Sequence, residues 1–389
     1  MKRYRLLVAL AALMLILAAC TEAADTTTTA GDGSEAPDTT AGDGGTTTTG
    51  GETSTTEGAG APAGETLAEV QSRGTLNCGV NDAVPGFGFV DDSGAFVGFD
   101  IDYCRALAAA VLGDPEAVTY IPLTAETRLT ALQSGEIDVL IRNTTRTATR
   151  DGSEGLTFLT TTFYDGQGMM VTADSGFTSI DDMTDTNICV LSGTTTELNL
   201  ATRMAGIAHT PVTFDENEQI QAAFLAGQCD GWTSDKSQLS GVRSAWPEDQ
   251  GGPEALVILE ETFSKEPLGP LVRDGDSQWA QIVDWVVIVT IQAEESGITS
   301  ENVGTFADTE NAEIRRLLGL EITDDEGNVS IFDPGLGLEP GFAAAVIGAV
   351  GNYGEIYDRH LGPGTPFELE RGPNALWTDG GLLYAPPYR

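Results

Sequence analysis

The sequence predicts an α/β protein of two similar lobes with a cleft between them, and three observations carry that prediction. One order of elements, β-α-β-α-β, can be read twice along the chain. A short motif recurs where the second helix of each copy ends: Leu132-Gln-Ser-Gly135-Glu-Ile-Asp138 matches Phe224-Leu-Ala-Gly227-Gln-Cys-Asp230, apolar-x-x-Gly-x-x-Asp in both. The residues beyond position 65 also exceed the usual size of one domain, which favours two bodies with separate cores.

Ahead of the lobes, Lys2, Arg3 and Arg5 precede an apolar run from Leu6 to Leu17 that closes on Leu17-Ala18-Ala19-Cys20. This is an export signal of the lipoprotein type: residues 1–19 are removed and Cys20 is lipidated. About a dozen apolar residues fall short of the ~20 needed to span a bilayer. From Thr21 to Glu65 there is no aromatic residue and no Leu, Ile or Val, so the segment cannot bury enough apolar surface to fold. Residues 20–65 read as a tether, holding the folded part roughly 35 to 40 Å from the lipid as a flexible coil. The protein is expected to work outside the cytoplasm, anchored to the outer face of the cell membrane.

In the first copy Leu76 to Asn81 is a short apolar strand. The helix at 101–112 then places Ile101, Cys104, Leu107, Ala108 and Val111 on one face. Val118 to Pro122 is a strand, Glu126 to Ser134 a helix and Ile137 to Ile141 a strand. In the second copy the strands are Ile188 to Leu191, Pro211 to Phe214 and Cys229 to Ser234, with helices at Thr194 to Met204 and Glu216 to Ala226. Glycine ends the second helix of each copy, and the next strand begins at or beside the aspartate. Further on, residues 282–291 are the longest later apolar run; at ~10 residues with Asp284 inside, they read as a buried helix rather than a span.

Charge and composition exclude several partners. With 59 Asp and Glu against 19 Lys and Arg, the net charge is −40, which disfavours nucleic acid and anionic membrane surfaces. Beyond Cys20 the cysteines are Cys78, Cys104, Cys189 and Cys229, an even number with three possible pairings. None is in a C-x2-C arrangement and the chain has two histidines, so neither a zinc site nor any other cofactor is expected. Cys78 lies in the first strand and Cys104 on the buried face of the helix over it. Cys189 and Cys229 lie in neighbouring strands. The expected bridges are therefore Cys78–Cys104 and Cys189–Cys229, one per lobe.

In open α/β sheets ligands lie beyond the carboxyl ends of the strands. The loops after Asn81, Ile141, Leu191 and Ser234 are thus expected to meet at one site. The second of these, Arg142 to Arg150, is dense in cations and hydroxyls in a chain otherwise poor in cations, and a guanidinium can hold a carboxylate bidentately. After Leu191 comes Ser192-Gly193-Thr194-Thr195-Thr196, opening a helix whose free N–H groups favour an anion. Asp235 follows the last strand and can accept from an ammonium group, unless it merely caps the next helix. A carboxylate site facing an ammonium site describes an α-amino acid.

At these residues the chain resembles the family 3 extracytoplasmic solute-binding proteins of ABC importers, and within them the general L-amino-acid-binding group. The resemblance is carried by VGFDIDYCRALAAAVLGD (97–114), PLTAETRLTALQSGEIDVLIRNTT (122–145), FYDGQGMMV (163–171), CVLSGTTTELNL (189–200), AGQCDGWTSDKSQL (226–239), SKEPLGPLVRDGDSQW (264–279), GNYGEIYDRHLG (351–362) and RGPNALWTDGGLLYAPPYR (371–389). It implies a two-lobed, type II (Venus-flytrap) periplasmic-binding-protein fold with a hinge. Lobe 1 would comprise 66–170 and 265–389, and lobe 2 171–264. It makes Arg150 the carboxylate-binding arginine and Asp235 the partner of the ammonium. Thr145, Asn143 and Thr195 are implied as further contacts, and Phe87 as an aromatic wall. Asn81 falls where binders of cationic amino acids carry an aspartate, and Val84 where many relatives stack an aromatic. Arg146 also departs from the pattern. The Asn81 and Val84 departures argue for neutral or acidic L-amino acids over Lys, Arg or His. The resemblance further implies a monomer that closes over its ligand and delivers it to importer permease subunits. A ligand-gated sensor module and a lyase on the same fold are the competing classes; neither a signalling membrane segment nor a nucleophile motif such as G-x-S-x-G supports them.

Overall fold

The computed structural model describes residues 64–389. The export signal, Cys20 and all of the tether but its last two residues lie outside the described residues.

Two five-stranded sheets repeat one design. In the first, the order is Val118–Pro122, Leu76–Val80, Val139–Leu140, Leu271–Arg273, Leu156–Phe158; the first three are parallel and Leu271–Arg273 runs antiparallel to both of its neighbours. In the second, the order is His209–Phe214, Thr186–Leu191, Gly231–Asp235, Gln167–Thr172, Leu256–Ile258, again with three parallel strands and then an antiparallel one, Gln167–Thr172. Helices cover the sheets, so the central strands 76–80 and 186–191 are mostly apolar and buried, with Asn77 and Asn187 as polar positions near their starts. The fold is the two-lobed type II periplasmic-binding-protein architecture. Both bridges are present, Cys78–Cys104 and Cys189–Cys229, each within one lobe.

The recurring motif has a structural cause. The third strands begin later than the apolar pattern suggests, at Val139 and Gly231, because the aspartates before them act as side-chain rungs. The Asp138 N–H donates to Asn77 O (2.9 Å) while its carboxylate accepts from the Asn77 N–H (2.8 Å). Asp230 does the same with Asn187, at 2.8 Å in both directions. Gly135 and Gly227 turn the chain into this register at φ 80° and 66°, a conformation that would strain any residue with a Cβ. One sequence pattern thus performs one task in each lobe.

The chain passes between the sheets along a two-stranded ribbon, Phe163–Asp165 against Glu266–Leu268, with Asp165 opposite Glu266 and Phe163 opposite Leu268. This is the hinge. Behind it, residues 282–291 belong to the buried helix Ser277–Glu295, and Asp284 is tolerated there because it accepts the Thr160 N–H at 2.7 Å. Among the described residues no helix is long and apolar enough to cross a membrane. The C-terminal helices Phe342–Val350 and Tyr353–His360 pack on Phe99–Leu112 and Ser277–Glu295, extending the first lobe.

Candidate functional site

The four loops meet. Asn81, Arg142, Asn143 and Thr145, Leu191 with Thr194 to Thr196, and Ser234 with Asp235 line one cavity, part of it open to solvent.

On the first lobe, the loop after Val139–Leu140 is set by a backbone feature. Asn143 sits at φ 26°, in the left-handed region that asparagine tolerates better than most residues. Its N–H donates to the Asp100 carboxylate (2.7 Å) and its side-chain oxygen accepts from Asn81 Nδ2 (3.1 Å). Asn81 Oδ1 in turn accepts the N–H groups of Asp82 and Ala83. Asn81 therefore both lines the cavity and shapes its wall. Thr145 and Arg146 zip onto the returning hinge strand, the Arg146 N–H donating to Pro267 O at 2.8 Å.

Arg150 lies in the short helix Ala148–Ser153, whose N-cap Thr147 accepts its N–H. Its guanidinium is buried at the seam between the lobes: Nη1 donates to Thr145 O (2.9 Å) and Nη2 to Gly193 O of the second lobe (3.5 Å). It stands beside the cavity, behind Thr145. Burial holds its pKa below the usual range, against the pull of Glu266 and Asp235. Thr195 opens the helix Thr195–Arg203 and donates through its hydroxyl to the Glu266 carboxylate (2.8 Å). Glu266, fully buried on the hinge strand, also accepts from Asn199 Nδ2 (2.9 Å).

Asp235 ends the strand Gly231–Asp235 and precedes the helix Lys236–Ser244, yet its side chain makes no capping bond to that helix. It is 7 % exposed, and one carboxylate oxygen has no partner. Burial, then the like charges of Asp165 and Glu266, push its pKa well above the ordinary aspartate value, while Arg128 and Arg150 oppose the rise. Asp165, which accepts from the Ser237 hydroxyl, is itself pushed up to about 6, chiefly by burial.

Phe87 is not at the site. It is 1 % exposed and packs against Phe163 and Phe99, with ring centroids 5.1 and 6.0 Å apart. The Pro85-Gly86 turn directs the ring down into the aromatic core around Tyr353 and Tyr357, where edge-to-face pairs and burial stabilise it.

The sequence reading missed Arg128. It begins the helix Arg128–Ser134, is 4 % exposed, lines the cavity, and its Nε has no hydrogen-bond partner. Burial, with Arg142 and Arg150 nearby, holds its pKa well down. A signal was available, since a cation in the first turn of a helix opposes the helix dipole and calls for another reason to be there. The cavity thus has unsatisfied positive charge at Arg128 and an unpartnered carboxylate oxygen at Asp235.

The sequence profile of the bacterial extracellular solute-binding proteins, family 3, matches residues 76–297. The chain belongs to that family. This solute-binding protein is 47 % identical to the general L-amino acid-binding periplasmic protein of Rhizobium johnstonii, over 85 % of this chain and 95 % of that protein. It is 47 % identical, over the same shares, to the glutamate/glutamine/aspartate/asparagine-binding protein of Rhodobacter capsulatus. Among solved structures it is similar to a periplasmic binding protein of an ABC transporter from Brucella ovis with glutathione bound, at a TM-score of 0.78 and 45 % identity, covering 83 % of this chain and 99 % of that one. The segment after residue 297 lies outside the family match, yet in this solute-binding protein it completes the core of the first lobe.

Proposed function

We propose that this solute-binding protein captures L-amino acids by closing its lobes and delivers them to the permease of an ABC importer. The reading rests on Asp235, a buried carboxylate that caps nothing and keeps one oxygen unpartnered in a cavity flanked by three arginines. In it, Asp235 accepts the ligand ammonium, Arg150 with Thr145 and Thr195 holds the α-carboxylate, and Asn143 and Asn81 complete the first-lobe wall. Arg128 receives an acidic or amide side chain. The specificities of these relatives, general L-amino acids and glutamate, glutamine, aspartate and asparagine, support neutral and acidic ligands. Contacts from both lobes exist only when the lobes meet, so binding favours closure. The protein acts as a monomer and is not an enzyme. The sequence-based boundary at 170/171 moves back to about 166, because the strand Gln167–Thr172 belongs to the second sheet; the first lobe is thus 66–165 with 265–389, and the protein is held to the membrane by lipid on Cys20. Loss of lipid labelling in Cys20→Ser tests the anchor; unchanged labelling overturns it.

Calorimetric titration with L-glutamate, L-glutamine and their D-isomers from pH 8 down to pH 5 tests the function. One L-ligand per chain is expected, with the D-isomers far weaker. Ammonium binding requires Asp235 as carboxylate, whereas burial favours its protonated form in the free site. Ligand binding then releases a proton, and affinity falls as pH falls through the free-site pKa, which lies above the ordinary 3.8. The titration belongs to Asp235 and Asp165 together. Asp235→Asn is expected to weaken binding and flatten the pH dependence. No binding of any L-amino acid, or equal binding of D-isomers, refutes the reading.

A further inference from the structure

The cavity does not end at Arg128. It continues outward past Arg142 into a second cavity that shares Asn81, Arg142, Leu191 and Asn217 with the first. The outer part is walled by Pro122, Leu123 and Thr124 on one lobe and by the 215–218 turn on the other. Arg142 stands at the junction, 5 % exposed; its Nε donates to Leu123 O (2.6 Å), and among the described residues neither Nη makes a hydrogen bond. An arginine left this way in a desolvated position favours an anion.

The amino-acid reading uses Arg150 and Asp235 for the α-carboxylate and α-ammonium and Arg128 for the side chain, so Arg142 is left over. We propose that the outer cavity takes the distal end of a γ-glutamyl peptide, whose terminal carboxylate is held by Arg142. This rests on the amino-acid reading, and bond chemistry then selects the linkage. An α-linked peptide blocks either the carboxylate or the amine at each residue and forfeits Arg150 or Asp235. A γ-linked glutamyl group leaves both free while extending the chain outward. Glutathione, bound in the Brucella ovis structure, has this form. The rim also carries Asp82, Asp215, Glu216 and Glu218, all four exposed, where water weakens their repulsion of a bound carboxylate; Asp82 and the buried Asp100 are the anions that act on Arg142 itself, and neither makes a hydrogen bond to it. Arg142 is buried at the point of contact, so the short-range pair dominates.

Calorimetry of the purified protein with L-glutamate, γ-L-glutamylglycine, glutathione and glutathione C-terminal amide tests this. The two peptides are expected to bind at one site in competition with L-glutamate. Amidation is expected to weaken glutathione about tenfold or more, the range of a charge-assisted hydrogen bond. In Arg142→Gln that penalty is expected to shrink to about twofold; should this variant fail to fold, the acid-to-amide comparison in the wild type stands alone. If L-glutamate binds and the peptides do not, or if the amide equals or exceeds the acid, this inference is overturned and the amino-acid reading survives. If L-glutamate fails as well, the amino-acid reading falls with it.

Discussion

Arg150→Ala is expected to lower affinity for every L-amino acid ligand by a hundredfold or more. The α-carboxylate would enter a seam from which water is largely excluded, and removing its guanidinium leaves a buried anion without a partner, a cost of ~3 kcal/mol or more. The same side chain joins Thr145 O to Gly193 O across the lobes, so its loss also removes a link that forms only when they meet. Arg150→Lys separates the two effects: it keeps the charge but not the planar fork, and should recover only part of the affinity. Arg315→Ala is the control, since Arg315 lies on the helix Ala312–Leu317 and reaches only the backbone oxygens of Glu321 and Thr309. Its affinity should match the wild type. Titration calorimetry decides the matter, and tight binding that persists in Arg150→Ala refutes the assignment.

Much of this site was legible in the chain because it is organised by strand ends. Periodicity located the parallel strands, and the rule that ligands sit beyond their carboxyl ends led to the 142–150 and 192–196 loops and to Asp235; the family resemblance singled out Asn143, Thr145 and Thr195 within those loops. The duplicated Gly-x-x-Asp was legible as a repeat but not as a mechanism, because a side-chain rung between strands has no signature in apolar spacing. Arg128 was hidden for a different reason. It is carried by a helix terminus rather than by the strand-end loops, and only its unfavourable position on the helix dipole marked it. Phe87 shows the converse error: the resemblance makes it an aromatic wall, but whether a ring faces ligand or core depends on its partners, here Phe99 and the hinge residue Phe163, which in turn pack on Tyr353 and Tyr357 near the C-terminus. No local pattern in residues 85–87 encodes those.

The same C-terminal extension leads to a second large effect, in a residue remote from the ligand. Gly241, within the helix Lys236–Ser244 of the second lobe, lies against the first: a Cβ built there would come 3.1 Å from Pro85 O and 3.1 Å from the ring of Phe367. Phe367 is carried by the 361–369 loop, which the Leu369 N–H closes on Leu361 O at 2.9 Å, and its ring also covers Gly86. A leucine at 241 forces Pro85 or the Phe367 ring to give way while the lobes meet. Overpacking of this kind costs about 2 kcal/mol, and since that cost falls on the closed arrangement alone, apparent affinity should drop roughly thirtyfold by the population-shift relation. The direction of stability makes the test discriminating. Leucine is the better helix former by nearly 1 kcal/mol, so the ligand-free protein should melt no earlier than wild type while binding weakens. Because closure is common to all ligands, the ratio of L-glutamate to L-glutamine affinity should be unchanged, unlike the effect of altering Arg128. Replacing Phe367 with Ala in the Gly241→Leu background should restore part of the loss, leaving the Pro85 contact. Calorimetry and melting curves of the wild type and both variants test this: wild-type affinity in Gly241→Leu, or a loss confined to one ligand, would mean that the Gly241 contact does not govern closure.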